Sequence, residues 1–225
     1  ARLTGGGDPA STSTPTTTVA PSTTPTAPVT VPPPTVTADA PTATATPASG
    51  SELVINGGME TDAIADNIPD GWVGKRLSQD KRKCDKPDKP VAYEGICGFR
   101  FKGGTEEKSQ LYQDIALETL TLNNGDTLTL RLFVNTSNAA INGNAKVSIR
   151  YTDTPEKTKF SADFVPTTGY TSLQVVGTLL SGNVSRLRVQ LNHKSPSGKI
   201  LIDAVSLQHI PTARGLLPIG AEILP

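Results

Sequence analysis

The 225-residue chain carries 21 Lys and Arg against 21 Asp and Glu, a formal net charge of zero. That balance removes the electrostatic argument for nucleic acid or an anionic membrane as a partner. No apolar run approaches the roughly 20 residues that span a bilayer, so no transmembrane segment is expected.

Residues 1–50 consist almost wholly of Thr, Pro, Ala, Ser and Val, with no aromatic side chain. Ordering a backbone costs roughly 1–2 kcal/mol per residue, and this segment holds too little large apolar surface to offset it. Its prolines favour extended polyproline II and its dense hydroxyls suit O-glycosylation. The segment therefore reads as a disordered or extended Thr/Pro-rich stalk of a glycoprotein. A start at Ala1 is expected of a processed product.

From 51 to 210 the sequence changes to short runs rich in Val, Ile, Leu, Thr and Phe, punctuated by Gly, Asn, Asp and Pro. "ELVIN" opens the series, and "NGGMETDAIADNIPDGW" (56–72) follows, with Glu60, Asp62, Asp66 and Asp70 in one loop. The mixed-charge "DKRKCDKPDK" at 80–89 reads as a solvated loop. Cys84 and Cys97, the only cysteines, bracket it as a disulfide staple does, the alternative being two unpaired thiols. A disulfide implies an oxidising, extracellular setting.

Eight further runs complete the domain: "CGFRFKG", "SQLYQDIAL", "DTLTLRLFVNT", "AKVSIRYTD", "KFSADFV", "TSLQVVGTLL", "SRLRVQLNH" and "KILIDAVSLQ". Their alternation has period two, the pattern of half-buried antiparallel strands. Leu128, Leu130, Leu132 and Val134 share one face of their run; Thr127, Thr129, Arg131 and Phe133 share the other. Leu187, Val189 and Leu191 point inward, opposite Arg186, Arg188 and Gln190. Strands joined by short turns predict an all-β fold, one antiparallel β-sandwich. Residues 211–225 form an apolar C-terminal tail holding Leu216, Leu217, Ile219, Ile223 and Leu224.

The order of motifs carries a resemblance. "NGGME", "PDGW", the "GFRFKG" strand, "LYQDI" and the closing "ILIDAVSL" together resemble the carbohydrate-binding-module-like, galactose-binding-like jelly rolls of secreted bacterial proteins. The resemblance spans about 51–210 and concerns fold; it does not by itself carry function. It implies a structural Ca²⁺ between the opening Glu and an Asp of the closing strand, here Glu60 and Asp203. Hard oxygen donors suit this ion, and Asp62 and Asp66 are added as candidates from the same loop. A solvated acidic loop is the alternative. Met59 stands where relatives have an aromatic residue, and "IDAV" departs from their common closing sequence.

Catalysis is not expected. A glycosidase needs two carboxyls flanking a sugar-binding cleft, and neither a Gly-x-Ser-x-Gly elbow nor a Cys/His dyad is present. His193 and His209 read as a turn residue and a strand-end residue. Sugar recognition calls for aromatic faces that stack on pyranose rings. Trp72, inside "PDGW", reads as a packing residue, which leaves Tyr93, Phe133 and Tyr151 as the candidates for a polysaccharide. The sequence thus points to a non-catalytic structural or adhesive protein, extracellular or at the cell surface, assembling with neighbouring copies into a surface layer or filament. The alternative is a carbohydrate-binding module of a larger secreted protein.

Overall fold

A computed structural model describes residues 50–103, 108–195 and 197–212. The expected stalk and the apolar tail lie outside the described residues, apart from Gly50, Pro211 and Thr212. Eleven strands follow in chain order: β1 (Ser51–Glu52), β2 (Val73–Lys75), β3 (Lys81–Cys84), β4 (Cys97–Phe101), β5 (Ser109–Asp114), β6 (Thr127–Asn135), β7 (Gly143–Tyr151), β8 (Lys157–Asp163), β9 (Thr171–Thr178), β10 (Val184–His193) and β11 (Ile200–Ile210). No helix occurs among the described residues.

The strands form two antiparallel sheets. The first has the order β3-β4-β11-β6-β9, with β1 also paired to β11; the second has the order β2-β5-β10-β7-β8. Period-two alternation decides which residues lie between them. Leu128, Leu130, Leu132 and Val134 of β6 face Leu187, Val189 and Leu191 of β10 in one core, each at most 2% exposed. Burying each such side chain contributes about 1.5–3 kcal/mol. The fold is therefore the jelly-roll-like, all-β sandwich that the sequence predicts.

β11 holds the first sheet together, because β4 pairs with its first half and β1 with its end. Between them the register of β11 against β6 slips, Asp203 facing Phe133 while Ser206 faces Arg131. The bulge puts Ala204 at a φ of 48° and carries one extra residue. It keeps Ile200 and Ile202 on the core side before it, and Val205 and Leu207 after it.

The opening "NGG" docks at this bulge. The Val205 N–H donates to Gly57 O, and the Leu53 N–H donates to Leu207 O, each at 2.9 Å. A Cβ on Gly57 would lie 1.8 Å from Val205 O, so only glycine fits there. "ELVIN" is correspondingly shorter as a strand than expected: only Ser51 and Glu52 pair, and Leu53 and Val54 go to the core. Trp72 packs beneath the loop at 5% exposure, its indole N–H donating to Asn56 O.

Candidate functional site

The outward face of the first sheet presents the polar half of the alternation. Register sets three rows across β11, β6 and β9: Gln208–Thr129–Val176, Ser206–Arg131–Gln174 and Asp203–Phe133–Ser172. Thr129, Arg131, Phe133, Gln174, Ser206 and Gln208 of these rows floor a cleft of about 510 Å³, walled at one end by Tyr93 and Glu94 from the β3–β4 loop. The Tyr93 ring stacks on Phe133 with centroids 3.6 Å apart and planes within 11°. Tyr170 leans on Tyr93 at 5.5 Å. The Arg131 guanidinium sits 5.2 Å from the Phe133 centroid and donates to Ser172 Oγ.

Tyr93 lies in a loop of polar and charged residues with little packing of its own, and a set of covalent and polar ties fixes it. Cys84 and Cys97 are direct cross-strand partners joined by a disulfide, as the sequence predicts. Asp85 Oδ1 accepts from the Val91 and Ala92 N–H groups, which hold its carboxyl below the usual range. Asp203 Oδ2 accepts from Tyr93 N and Glu94 N at 2.7 and 3.0 Å. Glu60 Oε1 accepts from Ile96 N and Cys97 N at 2.8 and 3.0 Å. Gly95, at a φ of 69°, leaves room for that carboxylate: a Cβ there would sit 2.1 Å from Glu60 Oε1.

The Tyr170 hydroxyl donates to Val91 O. Burial first, then the charges of Asp203 and Asp85, push its pKa far up, so it stays a neutral donor. Tyr93 is thereby held with 46% of its surface exposed. A half-exposed aromatic ring beside a floor of hydroxyl, amide and guanidinium groups suits a ligand with an apolar face and a hydroxylated rim.

The acids expected as metal ligands divide into two sets. Glu60 and Asp203 are brought together, close enough that Glu60 adds to the burial that raises the Asp203 pKa. Asp62 and Asp66 stay in their own turn. Asp62 accepts from Asp66 N and Asn67 N, and Asp66 from Ile68 N. No group of three His, Cys, Asp or Glu side chains converges as a metal site among the described residues. Glu60 and Asp203, two oxygen donors without an ion-pair partner among the described residues, fit a hard cation only if carbonyl oxygens complete the shell.

One candidate aromatic is corrected. Tyr151 is 7% exposed and lies in the core, on the face of β7 shared with Val147 and Ile149. Its hydroxyl pairs with Thr158 Oγ1 at 2.8 Å and accepts from Leu180 N at 3.0 Å. The ring can be buried because its one polar atom is satisfied. Of the histidines, His209 lies at the end of the last strand as expected, whereas His193 belongs to a strand and not a turn. His193 ends β10 at 1% exposure, stacked on Phe101, and His209 is buried against Asp126 at 2.8 Å. Tyr170 and Glu94 were not singled out in the sequence. Arg131 and Gln174 share outward parity with Phe133 across β6 and β9, and that signal finds them once the register is known.

The fold and the cleft define a carbohydrate-binding-module-like β-sandwich. Solved structures of similar fold include a family 16 carbohydrate binding module, 23% identical with a TM-score of 0.50, the match covering 69% of this chain and 98% of that one. The CBM22-1 xylan-binding domain of Paenibacillus barcinonensis Xyn10C is 15% identical with a TM-score of 0.51, covering 75% and 99%. The Stig cyclase Fisc of Fischerella sp. TAU is 16% identical with a TM-score of 0.52, covering 73% and 100%. At these identities the likeness is one of fold. No family model and no curated protein matches the sequence.

Proposed function

We propose that the domain is a non-catalytic carbohydrate-binding module of an extracellular protein, with a polysaccharide chain seated in the first-sheet cleft. The observation that carries this reading is Tyr93, a loop aromatic pinned by a disulfide, three carboxylates and a tyrosine so that its ring stands half exposed, stacked on Phe133 beside a polar floor. Rigid placement removes the ordering cost that a flexible loop would bring to binding. The cleft lining holds one carboxylate, Glu94, and one guanidinium, Arg131. That inventory favours binding over glycoside hydrolysis, which needs a carboxyl pair. Since one similar fold is a cyclase, the reading rests on the cleft and not on the architecture.

The cleft supports this alternative better than the self-assembling surface subunit expected from the sequence. The test is affinity electrophoresis and pull-down on a panel of neutral polysaccharides. The wild-type chain is expected to bind at least one of them, and Tyr93→Ala to weaken that binding about tenfold or more, a loss of about 1.4 kcal/mol. Absence of binding to every polysaccharide, or undiminished binding by folded Tyr93→Ala, overturns it.

A further inference from the structure

The zero net charge of the chain conceals a segregated cationic face on the second sheet. Register places Arg186, Arg150 and Lys157 side by side on β10, β7 and β8. The next outward row holds Arg188, Ser148 and Lys159, and the row after it Gln190 and Lys146. A groove of about 210 Å³ runs between them, floored by Ser148 and Gln190. Like charges directly opposite one another across strands destabilise a sheet. Here three stand in a row.

Among the described residues, a carboxylate neutralises Arg188 but none pairs with the row of Arg186, Arg150 and Lys157. Asp114 is bound in a two-point pair with Arg188. Asp153, in the β7–β8 turn, is committed to Ser181 and Asn183. Asp163 stands at the far end of β8, opposite Asn144, and Glu156 precedes Lys157 at the rim. Arg186 Nε is buried without a hydrogen-bond partner. Burial, then Lys159, Lys194 and Arg188, lowers the Lys146 pKa; burial, then Arg188 and Arg150, lowers that of Arg186. Asp114 offsets only part of the effect at Arg186.

We propose that this face is a second binding site, distinct from the first-sheet cleft, for a polyanionic polysaccharide bearing uronate or sulfate-ester groups. Arg186, Arg150 and Lys157 would pair with successive anionic groups of one chain laid across the strands. A glycan fits better than a single-stranded nucleic acid, because the one aromatic ring on this face among the described residues, Tyr112, is covered by the Arg188 guanidinium at 3.9 Å. That leaves no free ring on which a base can stack.

The test uses the full chain and the variant Arg150→Gln/Lys157→Gln/Lys159→Gln, whose three side chains are exposed. Heparin and polygalacturonate are the sulfated and carboxylated probes, with single-stranded DNA and phosphatidylglycerol vesicles as the competing classes. The wild-type chain is expected to bind at least one of the two glycans, more tightly than DNA or vesicles, with log affinity falling linearly against log salt. The sulfated or carboxylated class is assigned by whichever binds more tightly. The variant is expected to bind about tenfold or more weakly with a salt slope shallower by about 1.4, at roughly 0.7 for each of the two lost contacts, Arg150 and Lys157, on a single-stranded polyanion. Its melting temperature is expected to equal or exceed that of the wild type, since repulsion is relieved. Tyr93→Ala is expected to leave polyanion binding unchanged, which separates this site from the cleft. Failure of the wild type to bind either glycan at low salt, tighter binding to DNA or vesicles, or undiminished binding by the folded variant overturns the proposal.

Discussion

Removing the Cys84–Cys97 bridge tests how the aromatic platform is held. The two residues are 13 apart in sequence, and closing a loop of that size is worth about 3 kcal/mol in the chain-entropy model. For a domain of this size each kcal/mol moves the melting temperature by about 2–4 °C, so Cys84→Ser/Cys97→Ser is expected to melt about 6–12 °C lower. The same shift is expected of the wild type in reductant. Polysaccharide binding well below the melt is expected to survive, because the carboxylates of Asp85, Asp203 and Glu60 still hold Val91, Ala92, Tyr93, Glu94, Ile96 and Cys97 by their N–H groups. Scanning calorimetry with and without reductant measures the first effect, and titration with polysaccharide the second. An unchanged melt refutes the loop-entropy argument. Binding lost in a folded double variant refutes the sufficiency of the carboxylate ties.

Three further outcomes follow from the same geometry. Tyr151→Phe is expected to lower stability by about 1 kcal/mol, through loss of the Thr158 and Leu180 hydrogen bonds, and to leave binding untouched; a binding defect without a stability defect would return Tyr151 to the ligand surface. Burial opposes ionisation of Asp126, but Thr212 N, His209 and Asn123 N outweigh it and depress its pKa. Because the folded value lies below the unfolded one, its stabilisation is full above the ordinary carboxylate pKa and is lost as pH falls through the depressed value. Asp126→Asn should therefore flatten the acid limb of a stability–pH curve, and an unaltered limb would count against the assignment. We propose Ca²⁺ as the counter-ion of the Glu60–Asp203 pair: EDTA should lower the melting temperature and Glu60→Ala should remove that sensitivity, whereas a chelator-insensitive wild type dismisses the ion.

Alternation made the faces of β6 and β10 legible, since Leu128 to Val134 and Leu187 to Leu191 repeat at every second position. The disulfide was legible for a simpler reason: two cysteines across a short loop have only each other. Parity also bears on Tyr151, which follows Val147 and Ile149 at the same spacing, yet its hydroxyl makes it look like a surface residue until Thr158 and Leu180 N are seen to satisfy it. β11 misleads in another way, because the bulge shifts parity between Ile202 and Val205. Asp203 thus lies beneath the loop and not simply in a strand. The cationic face was invisible to net charge, which averages over the molecule. It emerges only when β7, β8 and β10 are set in register. Tyr170 gave no local signal, since its role depends on a loop some eighty residues earlier that passes above it.

The closed base of the β3–β4 loop has a consequence for how such a domain changes over time. Cys84 and Cys97 weld the two ends of the loop side by side, and the Asp85 N–H bonds Ile96 O just inside the weld. The sheets beneath therefore depend little on the residues at its tip. The loop can exchange its tip as a cassette, altering what Tyr93 presents, while the frame that positions it stays the same. For an engineer it is the natural insertion point for a new recognition sequence.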